Sequence, residues 1–137
     1  MSRKGSSILI VEDNPTDVFL ITEALRVHDI RADVHIIEDG EEAVRLLERL
    51  DSAEGLSCPD VILLDINLPR TNGFKVLERL RESRKCNSVP VIVMSSSETD
   101  VDRLQAANLQ AREYFQKPPD YEGFLRIGLI IERILKT

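Results

Sequence analysis

Val61-Ile62-Leu63-Leu64-Asp65-Ile66-Asn67 is an unbroken apolar run that delivers a carboxylate at its end. Three other stretches have the same form. Ile8-Leu9-Ile10-Val11 stops at Glu12-Asp13, Val91-Ile92-Val93-Met94 stops at Ser95, and Tyr114-Phe115-Gln116 stops at Lys117-Pro118. Runs this short, rich in β-branched or aromatic residues, suit strands of a parallel sheet buried on both faces. In an open α/β sheet a ligand binds beyond the carboxyl ends of the strands. The spacing therefore gathers three carboxylates, a hydroxyl and an ammonium at one rim.

Working outward, helical patterns separate the strands. The first strand covers Ser7–Glu12. Asn14-Pro15 opens a helix, with Asn14 as N-cap and Pro15 in the first helical position, and Val18, Ile21 and Leu25 carry its stripe to about His28. Asp33–Glu38 reads as a second strand. Asp39-Gly40 leads into a helix with Ala43, Val44, Leu47 and Leu50 on one face. Asp51–Pro59 has loop composition. A helix bearing Phe74, Val76, Leu77 and Leu80 follows the third strand, Val61–Leu64. The fourth strand spans Val89–Met94, the polar stretch Ser95–Asp100 starts the fourth helix, and Ala111–Phe115 forms a short fifth strand. A last helix runs from about Asp120 to Lys136. The count is (βα)5, an α/β doubly wound parallel sheet with predicted strand order 2-1-3-4-5.

The totals fit one domain over residues 1–137, with residues 1–6 as a flexible N-terminus. A net charge of −6 with no basic stripe argues against a nucleic-acid partner. No apolar run approaches the roughly 20 residues of a membrane helix, and the polar N-terminus lacks a signal-peptide core, so a cytoplasmic protein without a membrane partner is expected. Cys58 and Cys86 have neither CxxC nor metal-ligand spacing and read as plain thiols in a reducing compartment. His28 and His35 read as structural.

Crowded carboxylates repel. At about 4 Å and an effective dielectric near 20, each like-charged pair costs about 4 kcal/mol. A cluster of Glu12, Asp13 and Asp65 thus calls for a cation, and oxygen-only ligands point to Mg²⁺ or Mn²⁺ rather than zinc. The backbone carbonyl of Asn67, two residues past Asp65, is a candidate further ligand. A cation, Lys117 and Ser95 around one carboxylate make a cradle for a tetrahedral dianion, with Asp65 as the nucleophile that becomes an acyl phosphate. Ser96 is small and leaves such a group room. Taken singly, Asp65 could be a turn former, Lys117 a solvated lysine and Tyr114 a static strand aromatic. Their order along the chain, each after its own strand, disfavours those readings.

Glu12-Asp13, Asp65, Ser95 and Lys117-Pro118 together resemble the signature of the receiver domain of two-component response regulators, over nearly the whole chain. The resemblance implies the flavodoxin-like receiver fold, a phosphoryl group taken onto Asp65 from a sensor histidine kinase, and a phosphorylation-altered surface as output. It also implies that Tyr114 swings inward on phosphorylation and that the bond before Pro118 is cis. The phrase VEDNPTDVFLITEAL and the enlarged Leu50–Pro59 loop are similar to small stand-alone regulators serving phytochrome-type kinases. With no output domain expected after Leu135, the altered surface would be read by another protein or by a second copy.

The final helix has Phe124, Ile127, Ile131 and Leu135 on one face and Leu125, Leu129 and Ile130 beyond it. That excess suggests a homodimer through helices 4 and 5, as in the family. Departures from the family pattern are Glu12 for the commoner Asp, Ser96 for Ala or Gly, and Gln110 for a Gly before strand 5.

Rival functions are weaker. An aspartyl phosphatase of the haloacid dehalogenase type needs an acid at position 67, where this chain has Asn. A flavin carrier needs a Ser/Thr-rich phosphate loop after strand 1, where this chain has acids. A phosphotransfer intermediate and a phosphorylation-independent docking module remain as alternatives to the switch.

Overall fold

The computed structural model describes residues 5–69, 71–97 and 99–136. Five parallel strands, β1 (Ser7–Val11), β2 (Asp33–Ile37), β3 (Val61–Asp65), β4 (Val91–Ser95) and β5 (Glu113–Gln116), form one sheet in the order β2-β1-β3-β4-β5. The helices between them are α1 (Pro15–Val27), α2 (Gly40–Ser52), α3 (Gly73–Arg81) and α4 (Asp100–Asn108), followed by α5 (Tyr121–Leu125) and α6 (Ile127–Leu135). The expected topology is the observed one.

The alternation of side chains along a strand divides the core in two. Ile8 and Ile10 of β1, with Leu63, Ile92 and Met94, pack against Ile21 of α1 and Phe124, Ile127 and Ile131. Leu9, Val11, Ile62 and Leu64 point the other way, onto Leu47 of α2 and Phe74 and Leu77 of α3. Every residue of β3 and β4 is buried, which is why those segments read as continuous apolar runs. β2 lies at the edge and buries only Ile37.

Side chains cap the helix starts. The Asn14 side chain accepts from the Thr16 and Asp17 amides, and Asp39, Asn72 and Thr99 cap α2, α3 and α4 in the same way. β4 starts at Val91 rather than Val89 because Pro90 has no N–H for the ladder. The expected single last helix is interrupted at Arg126. There Arg126 N–H bonds the Gly123 carbonyl and Leu129 N–H the Arg126 carbonyl, a three-residue spacing that tightens the turn. Gly128 lets the ring of His28 approach α6, where His28 Nε2 lies 3.2 Å from the Leu125 carbonyl oxygen; a Cβ at Gly128 would fall 2.1 Å from the ring. His28 is structural, as expected.

Two further expectations need correction. Cys58 and Cys86 are not free thiols: they form a disulfide joining the loops that precede β3 and β4, with Cα atoms 5.7 Å apart. Chain distance hid it: the cysteines stand 28 positions apart and meet where the loops entering the neighbouring strands β3 and β4 lie side by side. The same region is held by Asp51 at the end of α2. Its carboxylate accepts from the Ser83 hydroxyl at 2.6 Å, the Lys85 amide at 3.0 Å and Arg79 at 3.3 Å. Lys85 Nζ donates to the Ala53 and Leu56 carbonyls. The second correction concerns Pro118. The bond before it is trans, as are all peptide bonds among the described residues, which is the intrinsic preference of X–Pro by about 0.5–1 kcal/mol. Residues 1–4 of the segment expected to be flexible lie outside the described residues; Ser6, at its end, is buried and its carbonyl accepts from the Asp33 amide at 2.8 Å.

Candidate functional site

Strand register places the site. β1 runs beside β3 with Val11 level with Leu64, so Glu12 and Asp13 leave β1 where Asp65 ends β3. Asp65 is level with Met94 of β4, and Ser95 is level with Gln116 of β5. The amide of Lys117 then bonds the Ser95 carbonyl at 2.7 Å. All these residues stand at the carboxyl rim, around a cleft of about 690 Å³ lined by Asp13, Asp17, Asp65, Asn67, Ser96 and Lys117 among others.

Lys117 is the hub. Its Nζ lies 2.9 Å from Glu12 Oε1, 2.7 Å from Asp17 Oδ2 and 3.0 Å from Asp65 Oδ2. An ammonium has three N–H donors, and each finds a carboxylate. Burial pulls the ammonium pKa down, but hydrogen bonds to Asp17 and Glu12 and the charges of Asp65 and Glu12 outweigh it, so the group is raised and stays protonated.

Glu12 is fully buried. Burial first, then the contact with Asp65, push its carboxyl up to about 8, against the pull of Lys117. Its Oε2 accepts from the Asn14 amide at 3.2 Å. Asp65, also buried, accepts at Oδ1 from the Asn67 amide at 2.8 Å. Asp13 is exposed to the cleft.

The donor set fits a hard divalent cation. One carboxylate oxygen each from Glu12, Asp13 and Asp65 lie within 4.8 Å of one another, with no nitrogen or sulfur ligand among the three. One lysine cannot neutralise so many carboxylates, so the cluster keeps negative charge for a cation to offset. Such oxygen-only surroundings suit Mg²⁺ or Mn²⁺.

The other expected residues divide. Asn67 and Ser96 line the cleft. Ser95 is buried just beneath it, its Oγ accepting from the Ser97 amide at 3.0 Å. Tyr114 is half-buried and set apart: its hydroxyl donates to the Ser97 carbonyl at 3.2 Å, and the Arg103 guanidinium lies 4.6 Å from its ring centre. Sequence reasoning gives Asp17 no role, because an acid in the first turn of a helix is explained by the helix dipole alone. The usable signal is its place four residues past Asp13, in the first turn of α1.

The arrangement is that of a protein that handles a phosphoryl group, and the comparisons with known proteins agree. Residues 8–126 match the response regulator receiver domain, and the chain belongs to that family. It is therefore a signalling protein rather than a conventional enzyme, of a kind that partners histidine kinases. Its relatives include the response regulator Rcp1 of Synechocystis, 32% identical over 125 residues, covering 91% of this chain and 85% of that one. Protein PilH of Pseudomonas aeruginosa is 32% identical over 119 residues, covering 87% and 91%. Among solved structures, the phosphorylated cyanobacterial phytochrome response regulator RcpA superposes with a TM-score of 0.85 at 32% identity, over 97% of this chain and 95% of that one. The Mn²⁺-bound form of Rcp1 gives 0.81 at 29%, over 93% and 91%. No helix among the described residues is long and apolar enough to cross a membrane.

Proposed function

We propose that this chain is a phosphorylatable switch in which Asp65 accepts a phosphoryl group from a sensor histidine kinase. The observation that carries the reading is the meeting of Asp65 with Lys117 at 3.0 Å inside the Glu12–Asp13–Asp65 oxygen cluster. A bound Mg²⁺ or Mn²⁺, held by those three side chains and the Asn67 carbonyl, supplies positive charge to offset the phosphoryl oxygens. The chain's own residues do the rest. Asp65 is the nucleophile, held by the Asn67 amide and Lys117. Lys117 offsets the remaining charge. Ser95, whose oxygen already accepts from Ser97, has its hydrogen to donate to a phosphoryl oxygen. Ser96 at the cleft wall limits the size of the incoming group.

Output follows from the surface that Ser95 and Tyr114 share through Ser97. A move of Ser95 toward a phosphoryl oxygen strains the Ser97 contacts, and Tyr114 with Arg103 then shifts with the start of α4. Val101, Leu104 and Leu129 are exposed on α4 and α6. Acids Asp100 and Asp102 on α4 and cations Arg126 and Arg133 beside Leu129 favour a two-fold homodimer across α4 and α6. The likeness to RcpA and Rcp1 supports a phytochrome-type kinase as partner and a stand-alone receiver.

The test is covalent. With Mg²⁺ and acetyl phosphate, intact-mass analysis should show one added phosphoryl group, sensitive to hydroxylamine. EDTA and Asp65→Asn should each abolish it. Multiple turnover of phosphomonoesters, or an adduct that survives Asp65→Asn, refutes the proposal.

A further inference from the structure

Lys117 has three donors and three carboxylate partners, so it has no hydrogen to give a phosphoryl group until one partner lets go. The three partners are not equivalent. Glu12 and Asp65 belong to the cluster whose oxygens converge for a cation; Asp17 does not. Asp17 comes from the first turn of α1, lines the cleft, and makes the shortest of the three contacts, 2.7 Å. Its side chain is 15% exposed, although an acid serving the helix dipole alone would face solvent.

We infer that Asp17 is a positioning residue that holds the Lys117 ammonium in the unphosphorylated state and competes with the phosphoryl group for it. This rests on the reading of Asp65 as phosphoacceptor. When Asp65 is phosphorylated, a P–O bond forms to its carboxylate, and the donor's bond to phosphorus breaks with its electron pair leaving on the donor. The new dianion claims an N–H of Lys117. The Asp17 contact is the one that yields, because the cluster's own oxygens stay beside the ammonium. Hydrolysis reverses the exchange: water bonds to phosphorus and loses a proton to solvent, the bond to Asp65 breaks with its electrons returning to the carboxylate, and Lys117 goes back to Asp17. Asp17 thereby favours the unphosphorylated protein and shortens the life of the acyl phosphate.

Asp17→Asn keeps the shape and removes the competing charge; Asp17→Glu restores the charge. The equilibrium probe is beryllofluoride, which mimics an acyl phosphate on a carboxylate, titrated calorimetrically in saturating Mg²⁺. Asp17→Asn should bind it at least threefold more tightly than the wild type and lose a phosphoryl group from Asp65 at least threefold more slowly. Mg²⁺ alone should still bind both proteins, since Asp17 is not a ligand, and saturating Mg²⁺ keeps any change in its affinity out of the comparison. Asp17→Glu should return both quantities toward wild-type values. Equal or weaker beryllofluoride binding by Asp17→Asn, with a wild type that binds it and is phosphorylated, overturns the role of Asp17 alone. A wild type that neither binds beryllofluoride nor takes up phosphate overturns the switch reading, and this inference with it.

Discussion

The backbone of Gly73 rests directly on Asp65: a Cβ at residue 73 would lie 2.4 Å from the Asp65 carbonyl oxygen and 2.6 Å from Ile66 Cα. The Gly73 amide also donates to the Ile66 carbonyl at 3.1 Å. The first turn of α3 thus seats itself on the loop that carries the nucleophile, and only glycine permits the approach. Gly73→Ala should force the two apart, destabilising the fold by about 1–3 kcal/mol as an overpacked site does. Phosphoryl uptake from acetyl phosphate should slow at the same time. Wild-type stability and uptake in this variant would show that the contact has slack.

Glu12 sets a pH dependence. Its carboxyl is raised from the ordinary 4.5 to about 8, chiefly by burial. The folded, cation-free protein holds that proton more tightly than the unfolded chain does. Its stabilisation is complete below pH 4.5 and is withdrawn as the pH rises through 8. Asp51 acts in a different range. Its carboxyl is lowered to about 2 by the Ser83 hydroxyl and the Lys85 amide, so its contribution is lost only as the pH falls from 3.8 through 2. The melting temperature in EDTA should fall between pH 5 and 8, a window taken from the Glu12 values. Glu12→Gln should flatten that slope, and saturating Mg²⁺, which needs ionised ligands, should reverse it. A flat wild-type profile in EDTA is the contrary result.

The Cys58–Cys86 bond closes a loop of 28 residues in separation. In the chain-entropy account a crosslink of that span contributes about 3.5 kcal/mol. Dithiothreitol should lower the denaturation midpoint accordingly, while Cys86→Ser should be unaffected by reductant. Phosphoryl uptake should persist in the reduced protein, because the bond lies at the amino ends of β3 and β4, opposite Asp65. Two alkylatable thiols in the native, unreduced protein would rule the bond out.

Gln110 carries a cost that a glycine would avoid. Its φ of 63° lies in the left-handed region, where a non-glycine residue is disfavoured by roughly 1–2 kcal/mol. Arg81 holds the turn by donating to the carbonyls of Leu109 and Gln110, each at 2.9 Å. Gln110→Gly should therefore stabilise the protein by about 0.5–1 kcal/mol, the strain relieved less the added freedom of the unfolded chain. A drop in the urea midpoint would mean that the Gln110 side chain contributes more than its backbone costs.

Much of the molecule was legible before any coordinates. Val61–Leu64 and Val91–Met94 are apolar without a break because both faces of their strands are covered, so burial itself writes the pattern. Parallel strands then bring Glu12, Asp13, Asp65 and Lys117 to one rim, since every strand must end on the same side. Asn14 and Asp39 announce their helices because a cap acts within three residues.

What the sequence by itself determined is whatever local periodicity and chain direction dictate: the strand order, the helix starts and the side of the sheet on which the carboxylates meet. Tertiary structure alone decided the pairs that lie far apart along the chain. Lys117 reaches Asp17 across 100 residues, and Cys58 meets Cys86 across 28 where the loops entering β3 and β4 lie side by side. The depth of Ser95 beneath Ser96, the trans bond before Pro118 and the break at Arg126 belong with these. Their energies depend on what packs against them, and that partner is not written into the neighbouring residues.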